Sequence, residues 1–172
     1  MPGAGKSTIC SGLEKKGFSS INMGDAVRAE AKRRNLEPTG ANLGKLMLEL
    51  REKNGQGAVA ELIKDQILNS KSDVIVIDGV RSNAEIEVLK KLAMVKLLAV
   101  HASTDTRYGF LTTRHRSDDP QNRQSFDERD TREIGVGISA SIALADETLS
   151  NNNLTVDQLI NTAYSIITKW LA

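Results

Sequence analysis

The chain has 172 residues, a length that fits one domain around a single hydrophobic core. Hydrophobic residues make up 40% of it and charged residues 26%, with a mean hydropathy of −0.30, which excludes a disordered or membrane-embedded chain. The 23 basic and 22 acidic residues nearly balance, which argues against a nucleic acid or a membrane surface as partner. One cysteine, and no signal peptide ahead of the first motif, predict a cytoplasmic protein; no feature sets its oligomeric state.

Apolar segments alternate with helical patterns along the chain, which predicts an α/β domain with a mainly parallel sheet. A strand is predicted at 18–23, and Asp25 is expected to cap the helix that follows it. Thr39 begins a helix that carries one apolar stripe, and a second amphipathic helix is predicted after Gly57.

Around the middle of the chain, residues 73–78 form an apolar strand core at 74–77 that ends in the carboxylate of Asp78, as expected of a buried parallel strand. Ser82 and Glu85 have the spacing of a capping box, so a helix is expected directly after that strand. A further strand is predicted at 95–101. Another capping-box pattern, which begins at Thr155, opens the C-terminal helix.

The segment Gly3-Ala4-Gly5-Lys6-Ser7-Thr8 matches the second half of the phosphate-binding pattern G-x-x-x-x-G-K-[ST]. Glycine lets backbone N–H groups approach phosphate oxygens, and the helix N-terminus adds a positive potential. Lys6 is expected to reach the β- and γ-phosphates of ATP, Ser7 to ligate Mg²⁺, and Thr8 or a neighbouring amide to support the α-phosphate. The alternative is a chance Gly-Lys-Ser at a helix start.

The motif lacks its first glycine, which by the spacing from Gly5 would precede Met1. The strand that delivers such a loop is internal to its sheet, so two strand edges would lack partners without it. We therefore expect the upstream sequence to read as an apolar strand that ends in glycine, within about ten residues.

A carboxylate near Mg²⁺ and its waters is expected opposite the loop, and Asp78, at the carboxyl end of a buried strand, is the candidate. The alternative is a helix cap or a turn former. Arg81 follows in the same crevice, and Asp25 and Arg28 come after the preceding strand, at the same edge of the sheet. These three residues are the predicted acceptor-binding set, although Asp25 could equally be a plain N-cap.

Arginine replaces lysine in the last part of the chain, where no lysine occurs between Leu97 and Thr168. Its planar fork of donors suits carboxylate and phosphate oxygens. Acidic residues balance these charges, so a solvated helix is the alternative to a phosphate-binding segment. The arginines are Arg107, Arg114, Arg116, Arg123, Arg129 and Arg132.

The motifs as a set resemble the nucleoside monophosphate kinases, adenylate kinase in particular. Met23-Gly24-Asp25 with Arg28 is similar to the G-D-x-x-R of that family. Asp78-Gly79-Val80-Arg81 is similar to its D-G-x-x-R, but one residue shorter. Arg114-His115-Arg116-Ser117-Asp118-Asp119-Pro120 resembles the adenylate kinase lid.

Ala145-Asp146 followed by Asn151 resembles a motif near the end of dephospho-coenzyme A kinases. The combined pattern is most similar to an archaeal family of adenylate-kinase-related P-loop proteins. Its motifs I-D-G-[IV]-R-S, R-x-R-x-D-D-P, F-x-x-R-D and A-L-A-D match residues 77–82, 114–120, 126–130 and 143–146. This resemblance implies a three-layer α/β fold, P-loop nucleotide kinase-like, with a parallel sheet whose first strand is missing from this chain. It implies one domain over 1–172 with an arginine-rich lid at about 112–132.

The resemblance also implies roles for particular side chains. Arg114 and Arg116 would close over the phosphates, and with Lys6 and Asp78 they form the predicted catalytic set. Asn151 would line the adenine pocket. His101 and His115 are expected to be structural or solvated, because phosphoryl transfer depends on charge and positioning more than on a general base.

The favoured function is transfer of the ATP γ-phosphate, with Mg²⁺, to a small nucleotide-like acceptor, AMP first. A dephospho-coenzyme A kinase is the alternative that the C-terminal motif favours. A nucleotide-dependent regulatory switch or weak ATPase is the alternative from another class. The chain has only six aromatic residues, which argues against stacking of RNA bases.

Overall fold

The computed structural model describes residues 1–114 and 116–172, and the described residues contain four short strands. They are β1 (Ser19–Asn22), β2 (Ile75–Asp78), β3 (Leu98–His101) and β4 (Glu147–Ser150). β1 pairs in parallel with β2, and β3 with β4, so the described strands form two separate pairs. The register of the first pair sets Asn22 beside Asp78, which brings two polar side chains to the carboxyl ends of neighbouring strands.

Helices connect and cover these strands. In chain order they are α1 (Lys6–Glu14), α2 (Met23–Arg33), α3 (Gly40–Asn54), α4 (Ala58–Glu61), α5 (Lys64–Leu68), α6 (Asn83–Lys90), α7 (Thr104–Arg114), α8 (Arg123–Val136), α9 (Ile138–Ala143) and α10 (Val156–Leu171). α1 contacts both β1 and β2 and packs along α10. The loop that precedes α1 is therefore held close to the carboxyl ends of the first strand pair.

Successive side chains of β2 face two different hydrophobic clusters, as expected for a strand covered on both faces. Ile77, together with Ile21 of β1, packs against side chains of α2, α3, α4 and α6. Val76 packs against side chains of α1 and α10, in a cluster that also includes Leu98 of β3 and Leu149 of β4. Helices thus lie on both faces of the strands, which confirms the predicted three-layer α/β fold with parallel strands.

The helix caps confirm most of the boundaries predicted from local sequence. Thr39 and Thr155 cap α3 and α10, and Thr155 completes its capping box. Ser82 accepts a hydrogen bond from the Glu85 N–H at 3.3 Å, but the Glu85 carboxylate does not return to Ser82. It accepts from the N–H of Arg81 at 2.7 Å instead. The predicted box at α6 is therefore only half formed, because Glu85 has a partner outside it.

Two local predictions are wrong. Asn22, and not Asp25, caps α2, because the Asn22 side chain accepts the Asp25 N–H at 3.2 Å. The helix predicted after Gly57 is divided into α4 and α5. Ile63, which lies at the division, is fully buried in the hydrophobic cluster of α2, α3 and α6. Tertiary packing, which no local pattern encodes, sets the path of the chain at that point.

No helix in the described ranges is long and apolar enough to cross a membrane. The strand expected ahead of Met1 stays a prediction, as does a single domain over 1–172.

Candidate functional site

The segment before α1 is a tight loop that two glycines make possible. Gly3 has a φ of 79° and Gly5 a φ of 102°, in the left-handed region that side chains disfavour. A Cβ atom on Gly3 would lie 2.8 Å from the carbonyl oxygen of Arg107, and one on Gly5 would lie 2.5 Å from Nδ2 of Asn151. Both glycines are therefore required by conformation and by close packing. The loop presents its N–H groups at the start of α1, where an anion is favoured.

Two side chains from distant parts of the chain hold this loop. Asn151 is only 4% exposed and donates from Nδ2 to the carbonyl of Ala4 at 3.0 Å. Arg107, also 4% exposed, donates to the carbonyl of Pro2 at 3.1 Å and bonds Asp130 through both terminal nitrogens. The buried amide of Asn151 thus holds the loop at Ala4, and its expected place in an adenine pocket stays a prediction.

Lys6 lies at the first position of α1, and its ammonium group donates to the carbonyl of Met1 at 2.8 Å. Burial lowers the pKa of Lys6, although Asp78 acts in the opposite direction and favours the charged form. The lysine is thus held against the loop, where an arriving anion would restore the stability of its charge.

Asp78 lies directly across from the loop and is 6% exposed. Its Oδ2 accepts hydrogen bonds from the Ser7 hydroxyl at 3.0 Å and from Nδ2 of Asn22 at 3.2 Å. Its Oδ1 is buried and has no hydrogen-bond partner among the described residues. The structure therefore joins the predicted Ser7 and Asp78 and adds Asn22, which the sequence analysis missed. The sequence signal that could have identified Asn22 is its position at the carboxyl end of the predicted strand that precedes α2, because such ends meet at one edge of a parallel sheet.

Thr8 lies within α1, one residue after Ser7, and is half-buried. It does not line the cleft described below. Support of an α-phosphate by its hydroxyl stays a prediction.

A cleft runs from the loop to the arginine-rich segment, and we call it the loop cleft. Lys6, Ser7 and Asp78 line one part of it, and Arg114, Arg116 and Arg129 line another. A second pocket, which we call the side pocket, lies between α2, α3 and α8. The two share five residues, namely Gly24, Arg28, Arg81, Asp118 and Arg129. They are therefore adjoining parts of one crevice.

Of the three predicted acceptor-binding residues, two line the crevice and one, Asp25, does not. Arg28 and Arg81 line both the loop cleft and the side pocket. The Nε of Arg81 lies 2.6 Å from the buried carboxylate of Glu133. Asp25 does not line either pocket; its carboxylate is 70% exposed and contacts Arg28 at 2.5 Å. Asp25 therefore contacts Arg28 from outside both pockets, and direct binding of the acceptor by Asp25 stays a prediction.

The lid arginines are organised by Asp119. Arg114 forms a close two-point contact with this carboxylate, which also accepts the N–H of Arg116 at 2.8 Å. Burial alone would raise the pKa of Asp119, but these hydrogen bonds hold it below its usual value. The side chain of Arg116 is exposed and lines the loop cleft. His115, expected to be structural or solvated, lies outside the described residues.

Arg129 of α8 is a central residue that the sequence analysis named only within the arginine set. It donates to the carbonyl of Asp118 at 2.9 Å and to its carboxylate at 3.2 Å. Burial lowers the pKa of Arg129. Because Arg28 also approaches Asp118, at 3.9 Å, one carboxylate links the lid to α2 and α8. A Phe-x-x-Arg-Asp pattern at 126–130 was the sequence signal for this residue.

The loop, the strand-terminal carboxylate and the arginine-lined crevice define the class, which is a P-loop domain of the nucleotide-binding, kinase-like kind. A family model described as an AAA domain matches residues 1–127. The chain is 43% identical over 157 residues to a UPF0200 protein of Thermococcus gammatolerans, with 88% of this chain and 83% of that protein covered. It is 38% identical over 161 residues to a UPF0200 protein of Methanocaldococcus jannaschii, with 92% and 82% covered. The chain belongs to this AAA-domain family and to the UPF0200 family, which confirms the archaeal P-loop resemblance.

Solved structures of other proteins share the fold. TT1252 from Thermus thermophilus superposes with a TM-score of 0.65 at 15% identity, covering 98% of this chain and 93% of that one. A shikimate kinase from Bacteroides thetaiotaomicron superposes with a TM-score of 0.56, also at 15% identity and with the same coverage. These likenesses establish a P-loop kinase-like fold.

Proposed function

We propose that this chain transfers the γ-phosphate of ATP to a small, nucleotide-like acceptor, as adenylate kinases do. One observation carries the proposal: the buried Asp78 carboxylate, with one oxygen unbonded, lies beside Ser7 in a cleft that continues into an arginine-lined side pocket. An enzyme that hydrolysed ATP with water would not need such a pocket. A phosphotransferase needs it to hold the second substrate.

Mg²⁺ fits the junction of Ser7 and Asp78. The unbonded Oδ1 of Asp78 and the Ser7 hydroxyl are oxygen ligands of the kind that Mg²⁺ takes. We assign Ser7 and Asp78 as its protein ligands, partly through water. When bound, the ion neutralises negative charge on the phosphate oxygens.

The loop residues bind and orient the donor in this proposal. The N–H groups of Gly3, Ala4, Gly5 and the first turn of α1 bind phosphate oxygens. Lys6 exchanges the carbonyl of Met1 for a phosphate oxygen. Because the arriving anion offsets the burial that lowers the pKa of Lys6, binding favours the protonated amine.

The lid arginines act on the transferred group. Arg114 and Arg116 line the loop cleft, where their guanidinium groups neutralise the charge that spreads over the γ-phosphate oxygens. With the lid closed they also exclude water, which would otherwise compete with the acceptor.

The acceptor binds through Arg28 and Arg81, and Asp25 fixes the orientation of Arg28. Val27, Leu43 and Met47 supply an apolar wall beside these charges. An anionic group joined to an apolar body matches this lining, as in a nucleotide. AMP is the first acceptor to test, and dephospho-coenzyme A is the alternative.

The test measures ADP release from ATP and Mg²⁺ with AMP, with other nucleoside monophosphates, with dephospho-coenzyme A and with no acceptor. We expect one acceptor to accelerate ADP release and to be recovered in phosphorylated form. A rate that is the same with every acceptor would contradict the kinase and favour a nucleotide-dependent switch or weak ATPase.

Lys6→Ala tests the loop, with Lys15→Ala as its control at the exposed end of the same helix. Lys6→Ala should abolish turnover because the phosphate loses its positive partner, whereas Lys15→Ala should retain it. Full activity in Lys6→Ala would remove the loop from the mechanism.

A further inference from the structure

The arginines of the side pocket differ in whether they have a carboxylate partner. Arg28 pairs with Asp25, Arg81 with Glu133 and Arg129 with Asp118. Arg132 also lines this pocket, but the ion pairs of residues 1–114 and 116–172 do not include it. Its Nε is buried and makes no hydrogen bond to any described residue. Its terminal nitrogens make no hydrogen bond to a described residue either, so at this pocket wall they are available to an oxyanion, which a guanidinium binds with a planar fork of donors.

A glycine in the facing helix makes room for this guanidinium. Gly44 lies in the middle of α3, where alanine would be the better helix former. A Cβ atom on Gly44 would lie 2.9 Å from Cζ and from Nη1 of Arg132. The glycine therefore permits the arginine to lie flat against α3, at the expense of helix propensity.

Arg132 is also separated from the reacting end of the crevice. It lines the side pocket, which contains the apolar side chains of Leu43 and Met47, but it does not line the loop cleft with Lys6 and Asp78. A group bound by Arg132 thus belongs to the acceptor and not to the donor phosphates.

We propose that Arg132 is an acceptor-binding residue that pairs with an oxyanion of the acceptor, a phosphate or a carboxylate, and that Gly44 determines specificity by leaving space for it. This proposal rests on the proposed function for the identity of the side pocket. An anionic group of the acceptor then lies in the side pocket, away from the loop cleft.

Two variants remove the contact in different ways. Arg132→Gln removes the positive charge. Gly44→Ala keeps Arg132 but displaces its guanidinium with the added methyl group. Gly109→Ala is the matched control, because Gly109 lies inside α7 and a Cβ atom there would meet nothing within 4 Å. Thermal unfolding should show Gly44→Ala and Gly109→Ala to be at least as stable as the parent, since both replace glycine in a helix.

The binding test uses full-length protein with ADP and Mg²⁺ saturating the loop. Inorganic phosphate and shikimate, a hydroxylated carboxylic acid, are then titrated separately by calorimetry to distinguish the two oxyanions. We expect Arg132→Gln and Gly44→Ala to weaken binding of the preferred anion by roughly 10-fold to 100-fold, as for loss of one charged hydrogen bond. Gly109→Ala should bind it as the parent does.

Steady-state kinetics with the acceptor that the ADP-release assay identifies give a second readout. Both variants should raise the KM for the acceptor, while the KM for ATP and kcat change little. Parent-like anion affinity in both variants, or no anion binding to the ADP-loaded parent, would overturn the role of Arg132. Failure of the proposed function would look different, because the unaltered protein would then bind no ATP or transfer no phosphate.

Discussion

At the scale of single residues, four buried side-chain atoms make no hydrogen bond to a described residue, namely Arg51 Nε, Asp78 Oδ1, Arg132 Nε and Glu133 Oε2. Folded proteins leave few such atoms, because each one loses its hydration without a replacement. Asp78 lines the loop cleft and Arg132 the side pocket. Three of these four atoms, all but Arg51 Nε, therefore belong to residues that line the crevice of the proposed reaction.

Asp78→Asn should distinguish the effect of the Asp78 carboxylate on the stability of the unliganded protein from its effect on the binding of MgATP. The neutral amide removes a buried charge but also the carboxylate that favours the charged form of Lys6, so we expect only a small change in thermal stability without ligand. The increase in Tm that ATP and Mg²⁺ produce should be lost. Differential scanning fluorimetry with and without MgATP measures both quantities. Asp73→Asn, at an exposed position before the same strand, is the control; a full MgATP response in Asp78→Asn would contradict the metal assignment.

Arg116→Ala should act mainly on the chemical step. Its guanidinium is exposed at the loop cleft, so removal should leave the fold intact and lower kcat by at least about 100-fold, as loss of transition-state charge stabilisation does. ATP affinity, measured by calorimetry, should fall much less. Equal losses in kcat and in affinity would instead make Arg116 a ground-state ligand. The exposed Arg33 provides an arginine-to-alanine control outside the site.

At the scale of elements, signals that act within a few residues were readable from the sequence. The loop before α1, the strand that ends at Asp78 and the caps at Thr39 and Thr155 are examples, because each depends on local backbone chemistry. The partners of Glu85 and Arg107 were not readable. Their contacts join residues that are far apart in the chain, and no spacing rule in one sequence specifies such pairs.

Glu85 provides an element-scale prediction. It is fully buried, pairs with Arg51 of α3 at 2.7 Å and accepts the N–H of Arg81, so it connects α3 to the turn after β2. Glu85→Gln should lower the free energy of unfolding by about 3–5 kcal/mol, because it leaves the Arg51 charge buried without a counter-ion. Urea denaturation measures this loss.

Glu87→Gln, on the exposed side of the same helix, is the comparison and should cost little. A similar small effect for Glu85→Gln would show that α3 and the turn do not depend on the buried pair.

At the scale of the whole molecule, the two strand pairs are connected through helices rather than through a hydrogen-bonded ladder. Val76 of β2 and Leu98 of β3 pack into one cluster with α1, yet the described residues include no strand that pairs with both β2 and β3. Two neighbouring strands with a free edge each are a template for one more strand.

We predict that a chain extended before Met1 by an apolar strand ending in glycine is more stable than the 172-residue chain. The added strand would pair with the free edges and complete the phosphate loop. Its Tm and its affinity for ATP should both rise. An extension of the same composition with a central proline, which cannot donate to a ladder, is the control. Equal values for the two extensions would show that an added strand does not pair with the edges of β2 and β3.

Arg107 connects the loop before α1 to helix α8. Because one guanidinium bonds both Pro2 of the loop and Asp130 of α8, a shift of the loop on one side requires an adjustment of α8 on the other. α8 carries Arg129 and Arg132, which line the side pocket. Under the proposed function, we predict that donor and acceptor affinities are linked through Arg107, so that each ligand changes the affinity for the other by the same factor.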